Sequence, residues 1–216
     1  MRAILTLLIL TVATQAGAEC GKLCDNNWWS TATEVDVQAE LDGGADLMAR
    51  DKYGDTPLHK AASSGNPANI KALLEAGADI KAQSKSGQTA LNYAAGVGTP
   101  ANIRALLAAG ADIGARDKHG STPLHFAASI GSPANIQALL AAGADIKSLN
   151  KEGSTALRYA ASSPFPRPGV IQALLSAGAD AKAKNKYGKT PRDYSQKNEK
   201  LKGTKGYWAL NDAQYN

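Results

Sequence analysis

The chain has 216 residues, with 24 Lys and Arg against 19 Asp and Glu, a formal charge of +5. That length suits one domain or two, and a hydrophobic fraction of 44% excludes wholesale disorder. Aromatics make up only 6% and there are two cysteines, which argues against an aromatic sandwich core, a disulfide-dense mini-protein and a self-contained zinc site.

Residues 1–18 read as a secretory signal peptide. Met1-Arg2 is a positive n-region and Ala3 to Val12 is an apolar run too short to span a bilayer. Ala16-Gly17-Ala18 is a small-x-small cleavage signature before Glu19. Glu19 stands before Cys20, where a lipoprotein signal would want a small residue, which favours a free product over a lipid-anchored one. An uncleaved N-terminal anchor is the alternative. Export puts Cys20 and Cys24 in an oxidising compartment, where a local disulfide would tie down the new N-terminus. A free or redox-active pair is the other reading of their spacing. Residues from about 25 to 51 read as a degenerate first unit. Leu41 and Gly44-Ala45-Asp46 match the second half of the later repeats, and Trp28-Trp29 fall where those repeats have Ala-Ala.

From Lys52 the chain repeats. Units begin at Lys52, Lys85, Lys118 and Lys151, 33 residues apart, and a fifth at Lys186 follows after 35. Self-similarity at this period means a solenoid whose units stack on their neighbours. Each unit predicts two helices. Thr56, Thr89, Thr122, Thr155 and Thr190 fit as N-caps of the first. Pro57, Pro123 and Pro191 then fall at the first helical position, where a missing N–H costs nothing. Asn66-Pro67, Thr99-Pro100 and Ser132-Pro133 start the second helix in the same way, and Gly77, Gly110, Gly143 and Gly178 suit a left-handed end. Ala-Ala pairs keep the first helices thin. Ile70, Leu73 and Leu74 and their equivalents form the apolar stripe of the second. Thr204 to Asn211 predicts a final capping helix carrying Tyr207, Trp208 and Leu210.

Gly54-x-Thr56-Pro57-Leu58-His59-x-Ala61-Ala62, then Leu73-Leu74 and Gly77-Ala78-Asp79, resembles the ankyrin repeat. The resemblance covers about residues 25 to 200. It implies an all-α ankyrin-repeat solenoid of helix-turn-helix units with β-turn fingers and terminal capping units. The boundaries expected are a signal peptide at 1–18 and one domain at 19–216, with a degenerate N-cap at about 25–51. Repeats follow at about 52–84, 85–117, 118–150 and 151–185, and a C-terminal repeat and cap at 186–216. Asn92, Arg158 and Asp193 replace the family's histidine, and Pro164-Phe165-Pro166-Arg167-Pro168 replaces a short turn. The tail from Asn198 to Tyr215 looks like that of exported, periplasmic bacterial ankyrin proteins.

No nucleophile elbow, zinc-helix, P-loop or dinucleotide motif occurs. The aspartates of the recurring Gly-Ala-Asp motifs lie a whole repeat apart and do not converge as an acid/base pair. An enzyme, a cofactor and a metal site are therefore not expected. The resemblance gives His59 and His125 a structural role and leaves His119 free on a turn tip. Tyr93, Phe126, Tyr159 and Tyr194 recur at one position, headed by Lys60, and read as inter-repeat packing or as a binding ladder.

Candidate contact residues cluster on the turns. Lys52, Lys85, Lys118, Lys151 and Lys186 share one position at a spacing of roughly 10 Å, near the Debye length, so they form a positive rail or a solvated edge. Tyr53, His119 and Tyr187 follow them, and Asp55 and Ser121 complete the set. Aromatic anchors beside charges are what hot spots prefer. Val97 and Ile130 are apolar where other repeats are polar, and Phe165 on the proline-rich turn reads as a second anchor or as a side chain folded back over the outer helix. Residues 181–216 hold nine Lys and Arg against three Asp and Glu, whereas 19–180 hold fourteen against sixteen. The expected function is an exported module that binds another protein through its concave face and turn tips. It would act as a monomer in the periplasm, as an inhibitor, immunity or escort protein for an enzyme. Alternatives are a secreted binder of a host protein and an anionic-surface binder acting through the basic end. Nucleic acid is not an expected partner.

Overall fold

In the computed structural model, residues 21–213 and Tyr215 are described. The signal peptide expected at 1–18 and Cys20 of the expected disulfide lie outside the described residues. Among the described residues there are twelve α-helices and no strand. An N-terminal unit holds a short 3-10 helix (Lys22–Cys24), α1 (Asn26–Trp29) and α2 (Glu34–Asp42). Helix pairs follow: α3 (Pro57–Ser64) with α4 (Pro67–Glu75), α5 (Ala90–Gly96) with α6 (Pro100–Ala108), and α7 (Pro123–Ile130) with α8 (Pro133–Ala141). The last two are α9 (Ala156–Ser162) with α10 (Pro168–Ser176), and α11 (Pro191–Lys197) with α12 (Lys205–Ala213).

Odd-numbered helices pack on odd and even on even, giving an inner row α1-α3-α5-α7-α9-α11 and an outer row α2-α4-α6-α8-α10-α12. The inner helices approach closely because Ala61, Ala94, Ala127 and Ala161 are fully buried at their contact line. The outer row buries Ile70, Leu73, Ile103, Leu106, Ile136, Leu139, Ile171 and Leu174 completely. Every first helix after α1 starts at the expected threonine. His59 shows why the Thr-x-x-His pattern works. Its Nδ1 accepts from the Thr56 backbone N–H at 3.1 Å and lies 2.9 Å from Thr56 Oγ1, while Nε2 donates to the Gln88 carbonyl of the next unit at 3.0 Å. One ring therefore caps a helix and ties two repeats together. His125 repeats this against Ser154.

The ends are sealed by bulk. Trp29 is buried and donates its indole N–H to the Leu23 carbonyl at 2.8 Å. Leu201, and Leu210 on the C-terminal helix itself, are fully buried. The fourth unit departs where the sequence does. Gly131 sits so close to the preceding helix that an added Cβ would lie 2.6 Å from the Ala95 carbonyl oxygen. Pro164 occupies the equivalent position and cannot fit that path. The chain instead takes the longer proline-rich turn, and Ser163 Oγ donates to the Ser129 carbonyl at 2.6 Å.

Candidate functional site

Five fingers run along one side of the stack, each closed by the residue before its lysine. Asp51 Oδ1 accepts the N–H groups of Tyr53 and Asp55 at 2.8 and 2.9 Å. Ser84, Asp117, Asn150 and Asn185 do the same for their own fingers. The fingers are then joined. Lys85 donates its N–H to the Tyr53 carbonyl at 2.9 Å, Lys118 to Ser86 at 3.0 Å, Lys151 to His119 at 2.9 Å and Lys186 to Glu152 at 2.9 Å. Gly54 makes this possible. It has φ +78°, and a Cβ there would lie 2.8 Å from the Lys85 nitrogen.

This ladder fixes the candidate contacts. Lys52, Lys85, Lys118, Lys151 and Lys186 are all exposed, as is His119. Tyr53 and Tyr187 are exposed large apolar groups on the same row. Lys52 Nζ lies 5.0 Å from the Tyr53 ring centroid, and Lys85 Nζ donates to the Lys52 carbonyl at 2.9 Å. The cations are thus presented on a hydrogen-bonded backbone rather than on free loops.

Asp55 and Ser121 are placed differently from the rest of the set. They are 3% and 2% exposed, so they offer no contact atoms to a partner. Asp55 accepts from Lys60 Nζ at 2.9 Å and from the Tyr93 hydroxyl at 2.6 Å. Lys60 also pairs with Asp51 at 2.7 Å. Burial works against the Lys60 ammonium, but the two carboxylates outweigh it and hold its pKa above the ordinary value. Burial and the Asp55 carboxylate push the Tyr93 phenol upward. Ser121 lies 2.9 Å from the Tyr159 hydroxyl. Their work is to brace fingers against the inner helices.

The aromatic row follows the same logic. Tyr93, Phe126, Tyr159 and Tyr194 are half-buried. Tyr93 meets His59 edge-on at 5.2 Å, and Tyr159 meets His125 at 5.1 Å. Arg158, in the histidine position, instead stacks its guanidinium 4.8 Å from Tyr159 and 4.7 Å from Tyr194 and pairs with Glu152 at 2.9 Å. Val97 is exposed, whereas Ile130 is half-buried and packs over Gly96. Phe165 is exposed on its turn beside Lys200 Nζ, 5.3 Å from the ring centroid.

Two sets of residues escaped the sequence reading. One is the finger-closing series that begins at Asp51. The other is the series Asn69, Asn102, Asn135 in the outer helices. Asn135 Nδ2 donates to the carbonyls of Ala95 and Gly98, 3.0 and 3.1 Å away in the preceding unit. Asn102 does so to Ala62 and Gly65. The recurrence of Pro-Ala-Asn-Ile in three units was the available signal.

Among the described residues no group of His, Cys, Asp and Glu could hold a metal, and no helix is long and apolar enough to cross a membrane. On the outer row, α4 and α6 enclose an apolar groove of about 750 Å³ lined by Pro67, Leu74, Ala78, Ile80 and Ala105. It holds no convergent polar set, since Lys71 and Glu75 at its edge pair with each other. A family model described as ankyrin repeats, in three copies, matches residues 32–117 and 101–185. No curated protein matches the chain.

Proposed function

The chain belongs to the ankyrin-repeat family, whose repeats indicate a protein–protein interaction module, and we propose that it is exported to the periplasm to bind one protein there. The finger row and inner helices would meet the partner, which the module would inhibit, neutralise or escort. The observation that carries this reading is the finger-to-finger hydrogen bonding, which holds five exposed lysines and two exposed tyrosines in one preorganised line. Such a surface loses little entropy on binding. The N-terminal signal pattern supports export, and release to act on a host protein is the secreted form of the same reading.

The test is affinity capture from periplasmic extract with mature 19–216, against a variant with Tyr53, Lys118, His119 and Tyr187 changed to alanine. The expected result is one stoichiometric protein, lost with the variant, whose purified form rebinds the wild type in calorimetry. A partner indifferent to all four substitutions contradicts the reading. The basic C-terminal end favours a second reading, association with an anionic surface. That reading requires binding to acidic vesicles that falls steeply with salt.

A further inference from the structure

We propose that the groove between the proline-rich turn and α11 takes an acidic, extended peptide segment of the protein partner, with an aromatic or aliphatic side chain set against Phe165. This rests on the protein-binding reading above and names the chemistry recognised at one place on it.

Two adjoining depressions, of about 480 and 100 Å³, share Tyr194 and Lys197 as walls. Pro164 and Lys200 close the larger one, and Lys189 and Asp193 the smaller. Among the described residues, Lys189 and Lys197 enter no ion pair. Two acids line the recess, Asp193 and Glu199, against three lysines, Lys189, Lys197 and Lys200. Asp193 accepts from the Thr190 N–H and hydroxyl at 2.7 and 2.9 Å, and Glu199 pairs with Lys202 at 2.6 Å. The recess is therefore cationic in net terms.

Both lysines are particular to this unit. Lys189 stands where the other repeats carry Asp55, Gln88, Ser121 and Ser154, and Lys197 where they carry Ser63, Gly96, Ser129 and Ser162. The fold does not require charge at either position, since four units stack without it. The turn that builds the far wall is the one insertion in the repeat series, and it leaves Phe165 64% exposed. Lys200 Nζ donates to the Pro164 carbonyl at 3.0 Å, which fixes that wall. Arg158 stacks on the Tyr194 ring at 4.7 Å and fixes the floor. A recess lined by unpaired cations, with an exposed phenyl ring next to Pro164 on the adjoining turn, complements a chain that alternates carboxylate and apolar side chains.

The probe is a fluorescein-labelled octapeptide alternating Glu and Phe, titrated by anisotropy against the 19–216 protein at low and physiological salt. Peptides with Lys for Glu, or Ala for Phe, are the controls. We expect binding of the Glu/Phe peptide only. It should weaken at least about tenfold in K189E/K197E and several-fold in F165A, while thermal melts confirm that both variants stay folded. Backbone amide shifts on titration should localise to 162–165 and 189–200. Absence of binding at low salt, or affinity unchanged in K189E/K197E, overturns the assignment. So does K189E/K197E-sensitive binding to phosphatidylserine vesicles with none to the peptide, which would assign the cations to an anionic surface. If a captured partner is lost on changing the finger residues but not in K189E/K197E, the protein-binding reading stands and this inference falls.

Discussion

Among the described residues, Lys60 is the one charged side chain buried in the inner row, and removing it should be costly. Its ammonium lies 2.7 Å from Asp51 and 2.9 Å from Asp55, and the side chains of Lys60 and Asp55 are 6% and 4% exposed. Lys60→Met would leave two carboxylates facing each other without their shared cation. Breaking a buried pair in this way costs about 3–5 kcal/mol, because the stranded charge keeps its desolvation penalty. The lower end, about 3 kcal/mol, is expected here, since Asp51 retains 16% exposure and two backbone N–H donors. The third repeat supplies the control. It has Phe126 for Lys60 and Ser121 for Asp55, and Ser121 engages the Tyr159 hydroxyl as Asp55 engages that of Tyr93. Lys60→Phe with Asp55→Ser should therefore regain stability to within about 1 kcal/mol of wild type. Equilibrium urea unfolding, followed by circular dichroism with the m-value checked for constancy, measures both. A neutral Lys60→Met, or a double variant as weak as the single, would refute the reasoning.

Further consequences are open to measurement. The Asp51 carboxyl is held below 3.8: its burial raises it, but donors from Lys60 and the Asp55 and Tyr53 backbone prevail. Its stabilisation should thus be present above 3.8 and lost as pH falls through the folded value. Lys60, held above 10.5, should lose its share only as pH rises past that value. Burial depresses the imidazoles of His59 and His125 below 6.5, against the partial opposition of their carbonyl partners. Stability should be full above 6.5 and fall on acidification, and thermal melts between about pH 7 and 5 should flatten when both are changed to Asn. Asn135→Val should cost about 2 kcal/mol in urea unfolding, by stranding the buried carbonyl of Ala95 and the part-buried one of Gly98. Gly54→Ala should cost about 2 kcal/mol, since it strains a positive φ and drives a methyl against the next finger.

The parts of this fold that were legible in the sequence are those that each unit specifies alone. Threonine caps, first-turn prolines and alanine pairs act over three or four residues, and the 33-residue period repeats them. The polar lattice was not legible because its contacts cross between units. Asn135 reaches back 40 residues to Ala95, and Tyr93 reaches back 38 to Asp55. A buried lysine at the head of an aromatic row, or an Asx residue one position before a turn-tip lysine, reads as ordinary surface until its neighbour is stacked against it. The same reason separates the candidate contacts. Asp55 and Ser121 look equivalent to Tyr53 and His119 along the chain, yet the finger turns them inward.

The central claim is that the finger row and inner helices form the binding face. Hydrogen–deuterium exchange of 19–216, free and in complex with its captured partner, tests it most directly. Added protection is expected at the turn tips around Lys52, Lys85, Lys118, Lys151 and Lys186 and in the inner helices behind them. Protection confined to the outer row, along the groove between α4 and α6, would contradict it.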